Sequence, residues 1–441
     1  MREDVMKDCK KAIFHMLMIL AVSIISGYLL LVLAFSIPQS RIFTGLANSV
    51  SVLQRDDLEE KIFGYPSSML DVFTDGAMLN AALYSNEESP FKRAVACYQY
   101  VYDDLSRSEA FIAYFEPREP DGSMPYVRYW HGILVILKPL FLFFNYSDIR
   151  MFNLIGQLVL ICFTVYAFAI RKLSRYIPAV FVTYFFLMPF TLPMSIQYSP
   201  VFYIGFAALA VLVMYYDKLA VKDRLFCFFM LTGILTSYFD LLTYPVFTLG
   251  LPLTGLLILP GDTAGQKETE TGAFGRRFIT FILCGISWFA GYAGMWAGKL
   301  LVALPFYGTS AFTDAMDSAG KRSASGAADE GIGYADALRS NFFMYKNNVF
   351  RLCLIIYTLV IIGIIIYRIT KRKTEFYPER IPMFLCVIAI PFVWYFVTTE
   401  HAQVHAFMTY KDLTVAVFAY CAGIVSLIGN NDRDKEVPEA E

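Results

Sequence analysis

The chain has 441 residues, 57% hydrophobic and 17% charged, with a formal net charge of -1 and a mean hydropathy of +0.51. Apolar content of this size, gathered into long runs, places it among membrane proteins, and the balanced charge without a basic face or tail excludes a nucleic-acid binder. Eight cysteines with no CxxC pair, six of them in apolar runs (Cys162, Cys227, Cys284, Cys353, Cys386 and Cys421), argue against both a disulfide framework and a zinc site.

Arg2, Lys7, Lys10 and Lys11 precede an apolar run at 12–37. It is too long for a signal-peptide core and lacks a small-residue cleavage site, so it reads as a retained first span. His15, at its start, reads as a satisfied structural residue. About 20 apolar residues are needed for one crossing. Nine further runs approach this length, at 151–170, 177–195, 200–216, 225–241, 243–260, 278–303, 350–367, 382–398 and 412–428. The expectation is an all-α polytopic membrane protein of about ten spans.

Four basic clusters mark the cytoplasmic side. They are Arg171, Lys172 and Arg175; Lys218, Lys222 and Arg224; Arg276 and Arg277; and Arg368, Lys371, Arg372, Lys373 and Arg380. Together they predict a cell-membrane protein with both termini in the cytoplasm. They agree only if the run from Ile133 to Phe144, broken by Lys138 and Pro139, does not cross. That run is therefore predicted to lie at the outer surface as an interfacial or re-entrant helix.

The resulting layout is an N-terminus and first span at 1–37, an external loop with juxtamembrane helices at 38–150, a transmembrane core at 151–303, a second external loop at 304–349, C-terminal helices at 350–430 and a cytoplasmic tail at 431–441. The stretch Ser318 to Gly333, rich in Ser, Ala and Gly, reads as mobile or as a lid over an acceptor groove. Gly261 to Gly275 is the longest cytoplasmic connection, and no connection on that side carries a Gly-rich phosphate loop or Walker pattern, which disfavours a nucleotide-driven machine.

Polar residues collect on the external face. In the first loop Asp71 and Asp75 are four apart and share a helical face. Such carboxylates serve as a general base toward a hydroxyl acceptor or as ligands for a divalent cation, Mg or Mn; the alternative is that Thr74 or Asp75 caps the helix running through Asn80. Further on, Arg128, Tyr129, Trp130, His131 and Lys138 combine anchoring aromatics with cations suited to a phosphate at headgroup level. Asp240 ends an apolar run and must face a cavity or a cation, or cap the next helix. The last external turn carries Glu400, His401, His405, Tyr410 and Lys411. Its two histidines are spaced for a metal, but the glutamate of the HExxH pattern is missing, so phosphate or sugar-hydroxyl contacts are the better reading.

One span, then a large external loop with acidic residues, then Arg128-Tyr129-Trp130-His131-Gly132 leading through Lys138 to Arg150 at the start of the next span, resembles the GT-C superfamily of membrane glycosyltransferases. The likeness covers mainly residues 1–260. The Pro-Pro pair that follows the motif histidine in better-known members is absent, which marks a divergent branch. The resemblance implies transfer of one sugar from a polyprenyl-phosphate donor to a glycan, lipid or protein acceptor on the outer face of the cell membrane. It implies Asp75 as the base with Asp71 as deputy, and Asp240 orienting the acceptor or a cation. The phosphate side falls to Arg128, His131, Lys138, Arg150, His405 and Lys411. Competing readings are a transporter or flippase of a lipid-linked envelope precursor, which would need polar residues in mid-span, and a surface-glycan polymerase or ligase, whose main polar loop would lie late in the chain.

Overall fold

The computed structural model describes residues 2–56, 61–259, 270–371 and 377–428. Most of the connection from Gly261 to Gly275, the side chains Arg372 and Lys373, and the tail at 431–441 lie outside these. Among the described residues the chain is all-α apart from one two-stranded ribbon. It starts with α1 (Arg2–Phe35) and then builds the first loop from α2 (Gln39–Ala47), α3 (Val50–Arg55), α4 (Val72–Leu83), α5 (Pro90–Ala96), α6 (Arg107–Ala113) and α7 (Leu134–Leu140). The ribbon, β1 (Gln99–Val101) and β2 (Gly122–Met124), is antiparallel and pairs Gln99 with Met124. At seven residues, α7 is too short to cross a bilayer.

The second part opens with α8 (Tyr146–Ile170), α9 (Ile177–Phe186), α10 (Ser199–Leu219), α11 (Arg224–Phe239), α12 (Phe247–Ile258) and α13 (Glu270–Tyr307). The stretch expected to be mobile folds into α14 (Ser310–Arg322) and α15 (Ala324–Asp329), followed by α16 (Tyr334–Met344). The chain closes with α17 (Asn348–Thr370), α18 (Ile381–Val397), α19 (Thr399–Val404), α20 (Ala406–Thr409) and α21 (Leu413–Ser426).

Among the described residues, seven helical segments are long and apolar enough to cross a membrane: Lys10–Phe35, Tyr146–Ile170, Ile196–Leu219, Gly275–Tyr307, Asn348–Thr370, Pro378–Val397 and Ala406–Ser426. The other three expected runs form the shorter helices α9, α11 and α12. Segments α10 and α21 are mostly buried at the centre, whereas α1, α8 and α17 present Leu17, Ile25, Ile155, Val159, Leu359 and Ile366 outward. Apolar exposure on that scale is untenable in water and natural in hydrocarbon. The chain is a multi-pass membrane protein.

Packing follows the residues available. Helices α11 and α13 approach so closely that a Cβ on Gly233 would collide with the Trp288 carbonyl, and one on Gly291 with the Met230 carbonyl. Paired glycines let two backbones touch where lipid offers no competing hydrophobic drive.

Contacts sort the connections into two ends. At one, His15 meets Asp223 at 2.6 Å, Arg171 pairs with Asp217, Arg175 donates to the Ile428 carbonyl at 2.8 Å and Arg380 to that of Ser426 at 3.0 Å. At the other end the first loop docks. Lys138 donates to the Ala82 carbonyl in the last turn of α4 at 2.8 Å, and Lys299 to that of Val95 near the end of α5 at 2.7 Å. An ammonium on a helix C-terminus satisfies orphan carbonyls and complements the dipole, which is how two buried lysines with no carboxylate partner among the described residues are tolerated. They pin α4 and α5 to α7 and α13.

Replacing Gly291 by Val therefore destabilises the bundle by about 1–3 kcal/mol, read as a lower Tm in detergent. Gly285→Ala, at a position inside α13 where a Cβ meets nothing, does not lower the Tm.

Candidate functional site

The first loop reaches the core through α4. After a short turn at Pro66–Ser68, the Asp71 carboxylate accepts the Thr74 N–H at 3.1 Å and starts the helix. The cap is thus Asp71 rather than Thr74 or Asp75: the apolar run begins at Val72, and only Asp71 stands one residue before it. One turn on, Asp75 is fully buried. Its carboxylate accepts N–H bonds from Ile196 at 2.8 Å and Gln197 at 3.1 Å and the hydroxyl of Tyr146. Tyr146 in turn accepts from Arg150 at 3.0 Å, and Arg150 closes the row on Asp56 at 2.5 Å. The Asp71 N–H donates to Ser195 Oγ at 2.9 Å, so both acids of α4 hang on the segment 195–197.

Burial raises both carboxyls. Asp71 is pushed up to about 6, opposed by its bonds with Thr74 and by the Lys411 charge. Asp75 is pushed up to about 7, first by burial and then by its neighbour Asp71, against the pull of Tyr146, the Ile196 N–H and Arg150. Lys411 is itself buried, with Nζ 3.6 Å from the centre of the Tyr198 ring and 4.3 Å from that of Tyr410. The cluster holds three carboxyls (Asp56, Asp71 and Asp75) against two cations (Arg150 and Lys411). One carboxyl therefore carries a proton readily near neutrality. The two α4 acids differ in availability: both oxygens of Asp75 are engaged, while Oδ2 of Asp71 is buried without a partner.

Asp75 and Asp240 already take N–H and O–H donors on their oxygens, the latter from the Thr243 N–H at 3.0 Å and its hydroxyl. Among the described residues no group of three or more His, Cys, Asp or Glu could hold a metal ion. Asp240 also does not cap α12, whose first residue is Phe247.

Beside this cluster lies a groove of about 330 Å³ between α7, α8 and α10, walled by Ile133, Leu137, Leu140, Phe152, Ile196 and Phe239. Its polar wall residues satisfy one another, with Asn153 donating to Ser199 at 2.5 Å and Tyr203 to Asn153 at 3.0 Å. The groove adjoins the outward apolar face of α8. It shares Ile196 with the Asp75 site: the side chain lines the groove while the N–H holds the carboxylate.

The other anticipated residues divide into two sets. Tyr129, His401 and His405 form a second group, with the histidine rings 4.6 Å apart and the Arg322 guanidinium 5.9 Å from the Tyr129 ring centre. His401 Nε2 meets the Leu242 carbonyl at 2.7 Å. Burial first, then Arg322 and, for His401, the His405 charge, lower these imidazoles to about 3 for His401 and about 4 for His405.

The remainder serve the packing of the loop. Trp130 donates to the Met295 carbonyl at 2.7 Å, Tyr410 to that of Ser67 at 2.7 Å, and Lys138 ends α4. Arg128 faces Asp314 at 3.3 Å. His131 is buried at φ 57, its Nδ1 on the Tyr129 carbonyl at 2.9 Å, where burial lowers its pKa. Residues not singled out in the sequence but central here are Asp56, Tyr146, Ser195, Lys299 and Arg322. Two of them left a signal: Asp56 opens an Asp-Asp pair, and Lys299 is a lone charge inside an apolar run. Compared with protein-family models, with curated proteins and with solved structures, the chain matches none.

A carboxyl whose pKa is raised by folding contributes stability that is fully present below its unfolded value near 4 and is lost as pH rises through about 6. Asp71→Asn keeps a capping side chain and removes that loss, at most about 3 kcal/mol. Thermal melts between pH 4 and 7 should accordingly fall less steeply for the variant than for the wild type.

Proposed function

We propose that the chain is a glycosyltransferase that moves one sugar from a polyprenyl-phosphate donor to a hydroxyl acceptor at the outer face of the cell membrane. One juxtaposition carries this reading: segment 195–199 is at once the wall of an apolar groove open toward lipid and the anchor of two buried carboxyls on α4. A lipid-linked substrate needs a hydrocarbon-lined channel next to a polar reaction centre, and the two meet here within five residues.

Asp71 takes the role of base, in place of Asp75 as first expected, because it alone of the pair has an oxygen without a donor. It accepts the proton of the acceptor hydroxyl; the hydroxyl oxygen forms the new bond to the anomeric carbon; the bond from that carbon to the phosphate oxygen breaks; and the polyprenyl phosphate leaves with the electron pair. A carboxyl pushed up to about 6 is well matched to proton transfer near neutrality. Asp75, tied to Ile196, Gln197 and Tyr146, positions α4, while Lys411 tempers the charge on Asp71.

The orientation with ten crossings and both termini in the cytoplasm belongs to the same proposal. It is supported by the gathering of Arg171, Arg175 and Arg380 at the end opposite the loops. In cells, Ser325→Cys reacts with a membrane-impermeant maleimide without permeabilisation and Lys218→Cys only after it; the reverse pattern overturns the orientation.

The catalytic test is a transfer assay with a panel of polyprenyl-phosphate sugars and the purified chain. Asp71→Asn should lower turnover by at least about 100-fold while its Tm at pH 7 is no lower than that of the wild type. Wild-type turnover in that variant removes Asp71 from the chemistry. Vesicles in which substrate crosses the bilayer without any new glycosidic bond would favour the flippase reading instead.

A further inference from the structure

We infer that Arg322, with His401 and His405, forms a binding site for a phosphate group carried by the second outer loop. The inference rests on the transferase reading only in naming a prenyl phosphate as the natural carrier of that group. Arg322 ends α14, and α14 and α15 both pack on α19, the helix that carries His401. Its hydrogen bond is to Ser318, one turn back on its own helix. The guanidinium stands over the Tyr129 ring, and its charge reaches Tyr129, Glu400, His401 and His405. Glu400 is the acid of that set, and among the described residues no direct ion pair joins the two.

An independent observation points to a ligand at the same place. His401 is 3% exposed and its Nε2 meets the Leu242 carbonyl, yet among the described residues its Nδ1 has no partner. A buried ring nitrogen with nothing to bond is costly. A planar guanidinium fork, an imidazole nitrogen free to share a proton and an aromatic wall suit a tetrahedral oxyanion, which accepts several hydrogen bonds at once. Burial and the Arg322 charge keep both histidines neutral at pH 7, so the site carries a single fixed cation until an anion enters.

The test uses the full chain in zwitterionic nanodiscs, titrated calorimetrically with farnesyl phosphate, with inorganic phosphate and with farnesol. Wild type should bind farnesyl phosphate, and Arg322→Gln should weaken it at least 10-fold, with part of the loss regained by Arg322→Lys. Farnesol should bind wild type and Arg322→Gln alike. A parallel loss for inorganic phosphate shows that the group itself is read; a loss for farnesyl phosphate alone shows that the lipid chain must bring it. His401→Gln provides the second variant and should weaken the same probe. Equal affinity for farnesyl phosphate in wild type and Arg322→Gln, both with unchanged Tm, overturns the site. Binding is read without transfer, so the two readings fail separately. Loss of affinity in Arg322→Gln, together with no transfer by wild type from any prenyl-phosphate sugar, keeps this site and discards the transferase.

Discussion

The architecture depends on how one buried carboxylate is satisfied. Asp75 sits on a short apolar helix that has no place in the hydrocarbon layer, yet it must be taken out of water for the first loop to dock. Three donors from two distant segments make that possible: the N–H groups that open the turn at Ile196–Tyr198 and the hydroxyl of Tyr146 on α8. Remove the acceptor and the loop loses its register on the bundle, because buried donors left unpaired cost more than the bond is worth on its own. The row continues through Arg150 to Asp56, so α3, α4, α8 and the 195–197 turn share one network.

Around that node, charges are placed with economy. Cations that elsewhere in proteins seek carboxylates are here given helix C-termini, as Lys138 and Lys299 show. The carboxylates are left with fewer cations than acids. Burial then brings the affinity of these carboxyls for a proton close to neutrality, where a carboxylate takes up and gives back a proton readily. The same low dielectric that makes the arrangement expensive makes each remaining interaction strong.

Much of this was legible in the sequence, and the illegible part has a physical reason. The spans of α1, α8, α10, α13, α17, α18 and α21 follow from apolar run length alone, and Pro139 and Lys138 within a short run foretold that α7 would not cross. Asp71 and Asp75 were visible as a pair because a helix puts positions four apart on one face. Their ranking was not visible, because it turns on which oxygen meets the N–H groups of residues 196 and 197, more than a hundred positions away. Arg128, His131 and Lys138 carried the chemistry expected of phosphate ligands, yet the fold engages them with Asp314, the Tyr129 carbonyl and the Ala82 carbonyl. Residue type gave the vocabulary there and tertiary distance decided the use. Arg322 illustrates the converse: its own segment carries no pointer to the histidines, and only the packing of α14 and α15 on α19 brings it toward them.

The double duty of Ile196 has a mechanical corollary. A hydrocarbon tail sliding into the groove presses on the very residue whose backbone grips Asp75, and Ser195 next to it grips Asp71. On the transferase reading, occupancy of the groove and exposure of the base both act through residues 195 and 196. On the same reading, an empty groove leaves Asp71 buried and away from stray water.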